Sequence, residues 1–433
     1  MTRENGLEGP ETLPKEYTAM KERITKVVDK SRVVWESLEA WVRERIQRYV
    51  QDLLEEEVTA LLGREKSERC QEIDAMGGYR NGHGKPRKLS LSCGTVELRR
   101  PRVRGLEARF ESRILPLFVR RSEEVGALLP ELYLHGLAMG DFELALRWLL
   151  GEGAPLSESS IARLKAKWQG EYDAWRRRSL ADLEVVYLWA DGVYVKAGLE
   201  KEKAALLVLV AGLSDGRKVV LGVESGYRES TESWSALLRD LRKHGLRPPC
   251  LVIGDGHLGL WGALGQVYPE SEEQRCWNHR IINILDKLPK KHHADAKRRL
   301  RQIAYAETRE QAERQKRAFQ LWCKERHFEA AADCLDHDWE RMVSFYRYPK
   351  EHWIHLRTTN PIESPFAAVR LRTDAGKRFK RVDNATALIW KTLMIAEKTF
   401  RRLNAPKLLK DVYQGTVYLN GLAVPEQSLD KAA

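Results

Sequence analysis

Cysteine is scarce in this chain: six thiols in 433 residues, at positions 70, 93, 250, 276, 323 and 334, with no CxxC pair among them. That scatter excludes a disulfide framework and predicts reduced thiols in a cytoplasmic setting. Long apolar runs are also missing. The longest, such as 204–212, fall far short of the roughly 20 residues a bilayer-spanning helix needs. The first residues, Met1-Thr2-Arg3-Glu4-Asn5-Gly6, are polar and lack the apolar stretch of a signal peptide. Neither an internal repeat nor a low-complexity segment occurs, which excludes solenoids and fibrous folds.

Positive charge, by contrast, is in excess. Lys+Arg number 74 against 62 Asp+Glu, a net charge of +12. With 43% hydrophobic and 31% charged residues, the chain reads as globular and long enough for two to four domains. The surplus of cations favours a polyanionic partner, and the short apolar runs argue against a membrane.

Residues 1–15 read as a loose tail, and the pattern from Glu16 to about Leu62 is helical, with Val34, Leu38, Trp41, Val42, Ile46 and Val50 at three- and four-residue steps. A cationic segment follows. Within it, Leu89-Ser90-Leu91-Ser92, a Cys93-Gly94 turn and Thr95-Val96-Glu97-Leu98 predict a β-hairpin, surrounded by Arg80, Arg99, Arg100 and Arg102. These cations suit DNA phosphate; the plainer reading is a solvated ribbon. Further on, one helix is expected near 123–135, a second from Asp141, and a third capped by Ser157 that carries Arg163 and Lys167. Two short helices, a Gly-containing turn and a basic helix fit a helix-turn-helix, or else a plain packing unit.

From Leu183 the period becomes that of strands: 185–195, 204–212 and 218–223, then a helix, a strand at 251–254, a second helix and a strand near 274–277. Three strands as a meander, then helix, strand, helix, strand, is the order of a ribonuclease-H-like mixed sheet, in which the first and fourth strands are neighbours. Residues 280 to about 345 turn wholly helical and basic, as an insertion before the chain resumes.

Asp191 and Asp255 each close an apolar run, Val185 to Ala190 and Leu251 to Gly254. An unpaired buried carboxylate costs on the order of several kcal/mol, so a cation between the two is a natural explanation. Glu363 is the third candidate. Three convergent carboxylates suit two divalent ions about 4 Å apart, an arrangement suited to phosphoryl transfer. Each acid also has a plain reading: Asp191-Gly192 and Asp255-Gly256 as turn dipeptides, Glu363 as a helix cap after Asn360-Pro361. Pro365 argues instead for a helix that starts at Ser364-Pro365. Cys276 and His279 lack a second pair at zinc spacing, and fit better as polar groups that shape a pocket.

Trp189-Ala190-Asp191-Gly192-Val193-Tyr194-Val195-Lys196, Gly254-Asp255-Gly256-His257, Gln274-Arg275-Cys276-Trp277-Asn278-His279 and Thr358-Thr359-Asn360-Pro361-Ile362-Glu363-Ser364 occur in that order. Gly78-Tyr79-Arg80-Asn81-Gly82 and Val96-Glu97-Leu98-Arg99-Arg100-Pro101-Arg102 precede them. Together they resemble the IS256 (Mutator-type) family of bacterial insertion-sequence transposases over most of residues 70 to 410.

The resemblance implies an α/β protein with a ribonuclease-H-like core, a DDE transposase in which Asp191, Asp255 and Glu363 hold two Mg²⁺ or Mn²⁺ ions. It implies that Cys276 and His279 support the site, and that Arg370 and Arg372 grip phosphate. Ser364-Pro365-Phe366 departs from the family, where many members carry Leu-Asn after the Glu-Ser pair. The expected segments are a helical region 1–70, a basic hairpin 71–120, a helix-turn-helix-like region 121–180, a core at 181–280 and 350–410 with a helical insertion 281–349, and a tail 411–433. Expected partners are terminal inverted repeats and target DNA, with at least a dimer on DNA, in the bacterial cytoplasm at the nucleoid. The alternatives are a non-enzymatic DNA-binding regulator and a structure-selective nuclease of the same fold.

Overall fold

The computed structural model describes residues 38–68, 77–137, 145, 146, 150, 158–196, 204–226, 229–256, 258–376, 379 and 381–425. The chain divides into two compact units, one from Met1–Glu131 and Met139–Ser157, the other from Leu132–Ala138 and Glu158–Ala433.

In the first unit, the Leu38–Leu62 helix buries Leu54, Val58 and Leu62, which recur every four residues and so share one face. Four short strands accompany it: β1 (Tyr79–His83), β2 (Arg87–Leu91), β3 (Gly94–Leu98) and β4 (Pro101–Arg104). β2 and β3 form the expected hairpin, and β1 pairs with β4. Leu91 pairs with Gly94, so the connecting turn is Ser92-Cys93, one residue earlier than the sequence suggested. Gly94 follows at φ +121°, a conformation open to glycine and strained for other residues. Leu89, Val96 and Leu98 pack against Leu54 and Leu115. The Gln51 amide fixes the hairpin by donating to Arg99 O and accepting from Arg99 N, both at 2.9 Å. The tail 1–15 and the helical pattern before Leu38 lie outside the described residues.

The second unit is built on a five-stranded sheet: β5 (Val185–Val195), β6 (Ala204–Leu213), β7 (Lys218–Gly226), β8 (Leu251–Gly254) and β9 (Glu272–Arg275), in the order β7-β6-β5-β8-β9. β5, β6 and β7 are antiparallel neighbours; β8 runs parallel to β5, and β9 parallel to β8. The central strands are covered on both faces, which is why they read as unbroken apolar runs. Leu188 and Ala190 face Trp234, Leu238 and Leu241 of the Thr231–Lys243 helix and Leu260 of the Leu258–Val267 helix. Tyr187, Trp189 and Val193 share the other core with Ile362, Phe366 and Val369 of the Asn360–Gly376 helix. Side chains alternate along a strand, so Asp191 shares the face of Trp189 and Val193.

Between β9 and the Asn360–Gly376 helix the chain is helical, as expected of the insertion: Trp277–Leu285, His293–Ala304, Arg309–Lys324 and Glu329–Asp336 are its main helices. The strand expected to reach Trp277 ends at Arg275, because Trp277 already begins a helix. The third helix of the proposed helix-turn-helix is present as Glu158–Arg176. Asp141, the turn 151–155 and Ser157 lie outside the described residues. Among the described residues, no helix is long and apolar enough to cross a membrane.

Candidate active site

The last parallel pair between β5 and β8 is Trp189 with Ile253. Two residues further on come Asp191, inside β5, and Asp255, just past the end of β8, so the register brings these acids to neighbouring positions. Ligand sites of open α/β sheets form at this carboxyl end of parallel strands. The turn reading fails for Asp191-Gly192, which lies within β5. Gly256 does adopt a turn conformation, at φ +95°, and a Cβ there would lie 2.2 Å from Arg275 Nε.

Burial lifts the Asp191 carboxyl from its ordinary 3.8 to about 7. The Gly192 N–H (2.8 Å) and His279 oppose that rise, while Asp255 and Glu229 add to it. Glu229 is buried and was not singled out from the sequence. A Cβ on Gly192 would lie 2.1 Å from Glu229 Oε1, so the absence of a side chain there lets the fourth acid approach. Burial, then the hydrogen bond to Glu229, keeps the Tyr194 phenol protonated; Asp255 and Asp191 act in the same direction.

Cys276, His279 and Glu363 form a second group, with ligand atoms all within 4.8 Å of one another. Cys276 follows β9 directly, its N–H bonded to Gly254 O at 2.7 Å, and it precedes the helix that carries His279. Thr359, quoted in a motif but given no role above, joins the three. Its hydroxyl lies 3.3 Å from Cys276 Sγ, 3.5 Å from His279 Nδ1 and within hydrogen-bonding reach of Glu363 Oε1. The Thr359 N–H points at the same sulfur, 3.4 Å away. His279 Nδ1 lies 3.9 Å from Glu363 Oε1. The hydrogen bond to Cys276 outweighs burial and lifts His279 to about 9, with Glu363 and Asp191 contributing. His279 therefore senses both acid groups.

The helix bearing Glu363 starts at Asn360, with Glu363 N bonded to Thr359 O at 3.0 Å, and not at Ser364-Pro365. Pro365 lies inside the helix, past its first turn, where it can give no N–H to the Pro361 carbonyl and so weakens the helix locally. Glu363 is thus in the first turn, yet its carboxylate reaches the Thr359 hydroxyl and His279.

The cations fare differently. Arg372, expected to grip phosphate, is only 3% exposed. Its Nη1 donates to Tyr133 O and Leu137 O, both at 3.0 Å, and its guanidinium stacks 3.9 Å from the Tyr133 ring. Its Nε is buried without a hydrogen-bond partner among the described residues, and a guanidinium so enclosed does not present its charge to a phosphate. Arg370, two residues earlier, is exposed. Arg80 donates to Glu55 (3.2 Å) and Thr59 (2.6 Å). Arg99 and Arg102 are exposed, and Arg100 partly so. Arg163 and Lys167 lie on the Glu158–Arg176 helix, where Lys167 Nζ is 3.8 Å from Glu171. Nothing local marked Glu229. The Thr358-Thr359 doublet before a helix start was the available signal for Thr359.

The fold defines an α/β protein with a mixed five-stranded sheet, with Asp191 inside β5 and Asp255 at the carboxyl end of its parallel neighbour β8. The chain belongs to the Mutator family of transposases, which it matches over residues 18–402. It is 45% identical over 294 residues to the transposase of insertion sequence element IS6120 from Mycolicibacterium smegmatis, covering 68% of this chain and 91% of the relative. The transposase of IS256 in transposon Tn4001 from Staphylococcus aureus is 25% identical over 347 residues, 79% of this chain and 86% of that one. The resemblance drawn from the ordered motifs is therefore correct. A structure of the HTLV-2 integrase catalytic core domain in complex with magnesium covers 28% of this chain and 85% of its own. It has 21% identity and a TM-score of 0.17, a likeness too slight to bear on the fold.

Proposed function

We propose that this transposase binds the terminal inverted repeats of its element, cleaves to expose a 3′-hydroxyl, and joins that hydroxyl to target DNA. Asp191, Asp255 and Glu363 are its catalytic acids. The observation that carries the reading is the parallel β5–β8 register, which supports Asp191 and Asp255 as one site. The strand order, with the meander β7-β6-β5 followed by parallel β8 and β9, supports a ribonuclease-H-like core.

Charge supports a divalent cation. Asp191 lies in the field of Asp255 and Glu229, with His279 the cation acting on it. Carboxylate oxygens are the ligands that Mg²⁺ or Mn²⁺ prefer. Asp191, Asp255 and Glu363 would hold two such ions, whose charge would supply activation of an attacking oxygen and stabilisation of a leaving one. The chain's own part is to position. β5 and β8 fix two acids on a rigid sheet, and Thr359 and His279 orient Glu363 at a helix start. The exposed cations Arg99, Arg102 and Arg370 suit DNA phosphate. A pair of subunits is required to join two ends, and the setting is the bacterial cytoplasm.

The test is donor-end cleavage by the full chain with Mg²⁺, comparing the wild type with Asp191→Asn, Asp255→Asn and Glu363→Gln. Each variant should lose cleavage by a thousandfold or more while still binding end DNA. Undiminished cutting by any of them removes that residue from the triad. Cutting by none, wild type included, favours a DNA-binding regulator.

A further inference from the structure

Two adjoining hollows lie on the helical insertion. The larger, about 650 Å³, is lined by Lys297, Arg298, Arg301 and Tyr305 among others. The smaller, about 240 Å³, shares Arg301 and Tyr305 with it and continues to Asn278, Arg357 and Thr358. Together they form a strip that runs from the insertion to the residue before Thr359. At its inner end Asn278 Nδ2 donates to Asn360 Oδ1 at 3.1 Å, beside the start of the helix that carries Glu363.

The chemistry along this strip is that of a nucleic-acid groove. Lys297 and Arg301 pair with no carboxylate among the described residues, whereas Arg298 pairs with Asp295. Tyr305 is 63% exposed, unusual for a ring of its size, and the Arg357 guanidinium sits 4.8 Å from its centroid. Arg357 in turn stacks on Phe345 (4.9 Å) and Trp353 (5.2 Å), which holds it against a rigid wall. A solvent-facing ring braced from beneath, with unpaired cations beside it, is how proteins hold single strands: bases stack and phosphates meet positive charge. The inner hollow is smaller than the roughly 300–1,000 Å³ of sites for drug-sized ligands. It has room for one ring system and none for a duplex.

We infer that this strip seats an unpaired nucleotide next to the scissile phosphate, its base stacked on Tyr305 and its backbone held by Arg301 and Lys297. The inference rests on the transposase reading of the acidic pocket. Its test is a binding experiment without divalent metal, so that the two fail separately.

The probe is a duplex with a short thymidine overhang containing one 2-aminopurine, compared with the blunt duplex of the same sequence, both in EDTA with the full chain. The wild type should prefer the overhang by several-fold to about a hundredfold, the range one stacked base supplies, with quenched 2-aminopurine emission. Tyr305→Ala should abolish the preference and the quenching while leaving blunt-duplex affinity unchanged. Tyr305→Phe should retain both. Arg301→Ala should weaken overhang binding and reduce its salt slope by about one. A wild type indifferent to the overhang, or a Tyr305→Ala variant that keeps both preference and quenching, overturns the inference.

Discussion

Replacing Asp191 by asparagine preserves shape and removes a carboxyl that burial lifts from 3.8 to about 7. The folded state holds this proton more tightly than the unfolded chain does. Between about pH 4 and pH 7 the metal-free fold therefore loses stability as pH rises, and above pH 7 the loss is complete. Each pH unit between the two values is worth about 1.4 kcal/mol, so roughly three units correspond to a loss on the order of 4 kcal/mol. Asparagine carries no such penalty. Urea unfolding in EDTA, followed by tryptophan fluorescence, should find Asp191→Asn more stable than the wild type at pH 8 by a few kcal/mol. The gap should narrow by about 1.4 kcal/mol for each unit of acidification below pH 7. Added Mg²⁺ should then raise wild-type stability and leave the variant nearly unchanged. A gap that is absent, or that does not vary with pH, refutes the argument that Asp191 is a buried acid awaiting a cation.

Thr359→Val keeps the volume and deletes the hydroxyl within reach of Cys276, His279 and Glu363; cleavage kcat should fall by about ten- to a hundredfold, the worth of one hydrogen bond to a charged group, and urea unfolding should show a loss of about 1–3 kcal/mol. Arg372→Ala removes two charge-assisted hydrogen bonds and a ring stack, and should cost on the order of 3 kcal/mol in urea unfolding. Arg370→Ala should leave stability within about 0.5 kcal/mol and weaken DNA binding in a salt-titrated assay. Gly256→Ala forces a Cβ into Arg275 at φ +95°, and should cost at least about 1–3 kcal/mol. Gly265→Ala, in a helix with nothing within 4 Å, should stabilise by up to about 1 kcal/mol and serves as its control in the same unfolding series.

The sheet was legible because its central strands are buried on both faces, and an acid at the end of such a run stands out. Asp191 and Asp255 declared themselves in this way, and their adjacency followed from the order of strands and helices. Glu363 was ambiguous locally because the same residues serve a helix start and a carboxylate that meets Thr359 and His279. Arg372 was misjudged because a basic stretch on a helix gives no sign of which side faces the core. Here Arg370 is exposed, while Arg372 turns inward to the carbonyls of residues 133 and 137. Glu229 was hidden for another reason: its proximity to Asp191 depends on Gly192, distant in sequence, leaving room for it. That kind of contact carries no periodicity.

The insertion departs from and returns to nearly the same point. Trp277 N donates to Arg357 O at 2.9 Å, one backbone bond that closes a circuit of some eighty residues. Trp189 Nε1, from the strand that bears Asp191, donates to His355 O at 3.0 Å just before that closure. The seam closes six residues before Glu363, and the inserted helices add to it by packing Met342 and Phe345 in the same core as Ile362 and Phe366. A change of length is therefore tolerable only in the exposed turns between the inserted helices, while a change to the buried residues that meet Ile362 and Phe366 is felt at the helix that bears Glu363.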